Sequence, residues 1–364
     1  MPKPLALTLP FLLFLAVGCG AASGSGWSSP TLAGGTLYVG SVGGRLYALE
    51  AASGEELWRF PTEDGHPEPL YARPVLAEGL VYLGTFAGRV YALDAATGAE
   101  VWRYPREGSL GGIVADPLIA DGSLYVPSSD GKLYALDAEQ GTLKWQSTTG
   151  ARIWAGPATA EGLLLVGSYD HRLYALDPAN GAVRWQFEAG GAISGAPTAE
   201  DGLVFFGSLD NKVYAVDVGS GEKVWEFPTE GWVWSMPTAS GDRLFVGSLD
   251  HRVYALDTRT GEKLWEFTTG GPVRASPILA NDLLIIASAE GVVYAVQSDT
   301  GERAWEYPAK ERIGQILATP VLGEGVVYVS SYDRMVYALK VQDGSLVWQI
   351  ATDRAPATPS PQGS

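Results

Sequence analysis

Pro237-Thr-Ala-Ser-Gly-Asp-Arg-Leu-Phe-Val-Gly-Ser-Leu-Asp-His-Arg-Val-Tyr254-Ala-Leu-Asp-Thr-Arg-Thr-Gly261-Glu-Lys-Leu-Trp265 is one copy of a pattern that fills nearly the whole chain. It reads as four short strands. The first ends within 237–241, the second runs from Arg243 to Gly247, the third from Arg252 to Leu256 and the fourth from Lys263 to Phe267. Asp257 to Gly261 and Ser248 to His251 carry the Asp and Gly chemistry of tight turns between them. Eight copies follow one another. Tyr recurs at 47, 91, 134, 174, 214, 254, 294 and 337, with a Trp eleven residues after each and a Pro seventeen residues before each. Neither interval varies. A repeat of about 40–44 residues made of short strands predicts an all-β, eight-bladed β-propeller of four-stranded antiparallel blades. It also directs attention to whatever differs between copies.

The 364 residues would suggest two or three domains by length, but a closed ring of blades is one unit. A net charge of −16 argues against sequence-independent binding to nucleic acid or to anionic lipid. Ahead of the repeats, Leu5 to Val17 is an apolar run too short to span a bilayer, and it ends in Leu15-Ala-Val-Gly-Cys19. Small residues before the chain's single cysteine read as a bacterial lipoprotein leader, cleaved before Cys19 and lipidated on its sulfur. An ordinary secretory leader is the alternative. The expected organisation is a leader over 1–18, lipidated Cys19 and a flexible Gly/Ser/Ala tether over 19–26, the propeller over 27–350 and a disordered Pro/Ser-rich tail over 351–364.

Ala92-Leu-Asp-Ala-Ala-Thr-Gly98-Ala-Glu-Val-Trp102 recurs at Ala175 to Trp185 and at Ala255 to Trp265. It resembles the tryptophan-docking motif of quinoprotein-type (PQQ-like) β-propellers. Copies one, seven and eight depart from it, with Glu50, Gln297 and Lys340 at the Asp position. The match covers 27–350. Together with the leader and the size, the chain resembles the BamB family, eight-bladed accessory lipoproteins of the outer-membrane β-barrel assembly machinery. The resemblance implies a lipid-anchored scaffold on the periplasmic side of the outer membrane, an envelope protein as partner and no cofactor. The docking motif itself is structural and carries no quinone chemistry.

All length variation lies between the Trp of one copy and the Pro of the next, where the intervals are 16, 15, 12, 12, 12, 12 and 15. The long connections are consecutive around a closed ring and share a face, so they are expected to form one sector. Extended loops on a rigid scaffold are where binding is grafted, although loops also drift freely. Tyr71, Arg73, Arg89 and Arg106 are the candidate partner-binding residues there. A second variable position, three residues before each Pro, holds Trp27, Tyr71, Val114, Trp154, Ser194, Trp234, Arg274 and Leu317. These are expected near the mouth of the central channel, where Trp154, Trp234 and Arg274 would serve a quinone or another small ligand in the alternative reading. Burial of the aromatics as a plug is the simpler account. A third set, Arg45, Arg89, Lys132, Arg172, Lys212, Arg252 and Arg334, predicts a partial cationic ring, or else pairs with turn carboxylates such as Asp170, Asp210 and Asp250.

No catalytic motif stands out. His66, His171 and His251 lack metal-ligand spacing, and there is no nucleophile elbow, phosphate loop or Ca²⁺ loop. The expectation is a protein without enzymatic activity.

Overall fold

The computed structural model describes residues 28–62 and 65–353. The leader, Cys19, the tether, Trp27 and the tail beyond 353 lie outside the described residues. Among the described residues, thirty-two strands form eight separate sheets of four, each an antiparallel meander in chain order. Blades 1 to 8 span 31–60, 75–104, 118–148, 158–188, 198–228, 238–268, 278–307 and 321–351. Among the described residues there is no helix. The strands of the quoted copy are Thr238–Ser240, Arg243–Gly247, Arg252–Asp257 and Lys263–Thr268, within one residue of the reading at nearly every end. Blade 1 contributes all four of its own strands, so no strand is exchanged to close the ring.

The core lies between blades rather than within them. Phe205, Val213, Ala215 and Trp225 of blade 5 pack on Leu244, Val246, Tyr254 and Leu256 of blade 6. The alternate residues Val253 and Ala255 of blade 6 pack instead on Leu284, Ile286 and Tyr294 of blade 7. Side chains alternate across a strand, so a sheet wedged between two others must be apolar on both faces. That is why the central strands read as unbroken apolar runs.

The invariant Trp is the fastener between neighbours. Trp225 Nε1 donates to the carbonyl of Thr258 at 2.9 Å, and a Cβ on Gly261 would meet the Trp225 ring at 2.7 Å. Gly261 also has φ +72°, so glycine is required both by backbone conformation and by the close approach of the indole. Trp58, Trp102, Trp145, Trp185, Trp265 and Trp305 make the same contacts forward around the ring, and Trp348 of blade 8 closes on Gly54 and the Ala51 carbonyl of blade 1. Opposite each Trp stands the small Ala of Tyr-Ala-Leu, after which the register slips by one residue in every blade. His171 and His251, both at φ 73°, occupy the left-handed turn position that Gly88 and Gly131 fill elsewhere, which accounts for their repetition.

Candidate functional site

The connection entering each blade and the turn between its second and third strands lie together on one face. In blades 4 to 7 a turn carboxylate accepts from the connection's backbone: Gly150 N to Asp170 at 2.6 Å, Gly190 N to Asp210 at 2.8 Å, Glu230 N to Asp250 at 2.9 Å and Gly270 N to Glu290 at 2.7 Å. The same carboxylates accept from the phenols of Tyr174, Tyr214, Tyr254 and Tyr294 in their own blades. The Asp groups expected to pair with the basic residues are thereby occupied. The cations turn outward to glutamates: Arg172 to Glu188, Lys212 to Glu226, Arg252 to Glu230 and Glu266, and Arg89 to Glu68. Four of the seven cations of the expected ring, Arg89, Arg172, Lys212 and Arg252, are thus paired with glutamates rather than with the turn aspartates.

The three long connections follow blades 1, 2 and 7, and each begins with a cis X-Pro bond, at Phe60-Pro61, Tyr104-Pro105 and Tyr307-Pro308. Arg106 is exposed on the second, and Arg89 stands half-buried beside the first through Glu68. Tyr71 and Arg73 are not on this rim. They face the ring axis, in a cavity open to solvent that they share with Trp154, Trp234 and Arg274. The reason is periodicity. The chain approaches each first strand extended, so residues one and three before the Pro point to the axis together.

The lower tier of this cavity carries one charged pair, Arg73 with Asp116. The Arg73 backbone N–H donates to the Asp116 carboxylate at 2.7 Å, and the guanidinium lies 3.3 Å from it. Further round, Met236 N–H donates to Ser276 Oγ, Ser276 N–H to Thr319 and Thr319 N–H to Ser29, a belt that joins consecutive blades. In the upper tier the Trp154 and Trp234 rings lie 6.5 Å apart, inclined at 42°. The Arg274 guanidinium sits 4.2 Å over Trp234. Arg152 sits 4.2 Å over Trp154 and 4.3 Å from the Tyr169 ring, and Tyr169 packs edge-on to Trp154 at 5.0 Å. Trp154 Nε1 donates to Ser129 Oγ at 2.9 Å. Burial pushes the Tyr169 phenol up to about 12, against the pull of Arg152 and Arg274, and burial lowers the Arg274 guanidinium from its usual value. Tyr71 stands across the cavity, edge-on to the exposed Phe86 at 5.2 Å.

The structure thus brings Trp154, Trp234 and Arg274 together, joins Tyr71 and Arg73 to them, and leaves Arg89 and Arg106 outside on the rim. Arg152, Tyr169, Ser194 and Asp116 complete the mouth. Arg152 and Asp116 were legible in principle, standing two residues either side of a ring position. Tyr169 comes from a turn, and only packing reveals it.

A family model described as the β-propeller of the beta-alanine-activating enzyme matches residues 114–317. One described as outer membrane protein assembly factor BamB matches residues 16–152. Among solved structures, BamB from Moraxella catarrhalis is similar with a TM-score of 0.72 at 24% identity, over 85% of this chain and 93% of that one. The computationally designed Ika8 protein reaches a TM-score of 0.74 at 15% identity, over 87% of this chain and 96% of that one. No curated protein matches the chain. At these identities the structural likenesses establish the fold alone.

Proposed function

The chain belongs to the β-propeller family of the beta-alanine-activating enzyme and is BamB-like over residues 16–152, and on that premise we propose that it is a non-enzymatic, lipid-anchored protein-binding scaffold of the bacterial envelope. In this reading Cys19 carries the lipid, the ring stands on the periplasmic side of the outer membrane, and the partner is a component of β-barrel protein assembly. The observation that carries it is the BamB family match across the first blades, where two of the three long connections also fall. The partner docks on the inserted sector, with Arg89 and Arg106 contributing charge. Arg is a favoured anchor, and a standard interface needs only roughly 800 Å² per side.

Charge reversal at both Arg89 and Arg106 should weaken capture of the envelope partner, identified by mass spectrometry after detergent solubilisation. Arg106→Glu alone should leave the melting temperature nearly unchanged, because that side chain is exposed, whereas reversal at Arg89 sets two carboxylates against each other at Glu68 and should lower it. Reversal at Lys212 and Arg252 in the short-connection sector should matter less. Equal loss from both sectors would reject the inserted sector as the site. Cys19→Ser should abolish labelling by a fatty-acid analogue while the propeller melts as before, and an unlabelled parent protein would exclude the anchor.

A second reading, a ligand site at the channel mouth, is favoured by the aromatic pair Trp154 and Trp234 with Arg274 over it. Titration of the purified chain with a quinone cofactor tests the quinone form of that reading.

A further inference from the structure

The upper tier of the axial cavity is built, not merely open. The Arg152 and Arg274 guanidinium carbons each lie 4.2 Å from the ring centroids of Trp154 and Trp234, within cation–π range, so the indoles hold both cations at the mouth. A guanidinium presents planar N–H donors, and a carboxylate matches that fork. Among the described residues no carboxylate pairs with Arg152. Asp116, the acidic residue lining the cavity, is engaged by Arg73 in the lower tier. In a chain of net charge −16 this is a local cationic mouth. Ser194 supplies an independent observation. It lines the same cavity at 3% exposure, and its buried hydroxyl has no partner, which a native fold leaves only at cost. The two indoles, in contact at 6.5 Å and both lining the cavity, offer an apolar wall beside the cations.

We infer that this mouth receives a segment of a protein partner that presents an acidic side chain to Arg152 and Arg274 beside a flat apolar side chain seated against Trp154 and Trp234. The inference rests on the scaffold reading and names the chemistry of the partner's contact. Attraction brings the carboxylate to a surface that repels acidic groups elsewhere. The Trp pair then fixes orientation.

The probes are three acetylated and amidated pentapeptides, Gly-Phe-Asp-Phe-Gly and its Asn and Lys counterparts, titrated by ligand-observed NMR into the full chain in detergent. The Asp peptide should bind about tenfold tighter than the Asn peptide, with the Lys peptide weakest. That preference should shrink as salt rises. Arg152→Gln, at an exposed position that leaves folding intact, should reduce it, and Arg152→Gln with Arg274→Gln should abolish it. Equal binding of the three peptides, or a preference that survives Arg152→Gln and the double change, would overturn the inference. Phenylacetate binding as tightly as the Asp peptide would overturn it in favour of a small organic acid. Loss of envelope capture on reversal of Arg89 and Arg106, with no peptide preference, would sink this inference and leave the scaffold reading standing.

Discussion

Blades 4 to 6 and blades 1 and 2 solve one electrostatic problem from opposite sides. In the regular blades the turn carries its own carboxylate. Asp170, Asp210 and Asp250 each hold a phenol of the same blade and a backbone N–H of the incoming connection. Blades 1 and 2 have Gly43 and Ala87 at that position, and the neighbouring segment carries the carboxylate instead. Glu68, on the long connection, reaches Arg89 of blade 2. Asp353, just past the last strand of blade 8, accepts from Ser41 Oγ at 2.7 Å and from Gly43 N at 2.8 Å, and its own N–H donates to the Tyr47 phenol at 3.0 Å. The requirement belongs to the interface, not to either segment. A clasp can therefore be inverted, with the carboxylate on the turn in blades 4 to 6 and on the neighbouring segment in blades 1 and 2.

The largest effect should come from the fastener that both regions share. Trp225→Ala in the regular sector removes an indole that is 7% exposed, and should cost about 3–5 kcal/mol in a cooperative denaturant transition. Trp102→Ala, at a more exposed ring in blade 2, should cost less. A Trp225→Ala midpoint equal to the parent's would remove the docking role altogether.

The inverted clasp gives the next effect. Asp353→Ala removes the carboxylate that accepts from Ser41 Oγ, Gly43 N and Tyr47 Oη at the seam between the last and first blades and should cost about 1–3 kcal/mol. Asp250→Ala, within a regular blade, should cost a similar amount. If only Asp250→Ala destabilises, the two arrangements are not equivalent and the comparison breaks.

The smallest effect is in pH. Burial first, and the Asp250 carboxylate after it, push the Tyr254 phenol from 10.0 up to about 12, against Arg252. Burial and a turn carboxylate likewise raise Tyr134, Tyr214 and Tyr337. A folded pKa above the unfolded one means stability that is complete below about pH 10 and lost as pH rises toward the folded value. Denaturant midpoints measured from pH 8 to 12 should fall above pH 10, and Tyr254→Phe should make that fall shallower. A midpoint flat to pH 12 in the parent protein would show the phenols unperturbed.

Much of this was legible because each blade repeats the same local chemistry. The Asp257 and Gly261 turn, the Ala opposite Trp265 and the alternation of Val253 with Tyr254 are each dictated within about thirty residues. The site was legible in fragments. Trp154, Trp234 and Arg274 share a register and so were found together. Tyr71 shares that register too and Arg73 follows it by two residues, yet their long connection drew them to the rim, when the extended approach to the strand turns them to the axis. The cations at the second-to-third turns were read against the nearest aspartates, but the phenol of Tyr254 and the N–H of Glu230 reach Asp250 first.

The sequence by itself determined the eight blades, their strands and the invariant Trp–Gly seam, because these rest on contacts of fixed spacing repeated in every copy. Only the tertiary structure decided that Arg152 lies on Trp154 and Tyr169, that Ser194 is buried without a partner, and that Asp353 closes on Gly43. The Arg152, Trp154 and Tyr169 contact lies within one copy but depends on how variable side chains of a connection and a turn pack, and the Asp353–Gly43 contact joins the last blade to the first over 310 residues, which no local period encodes.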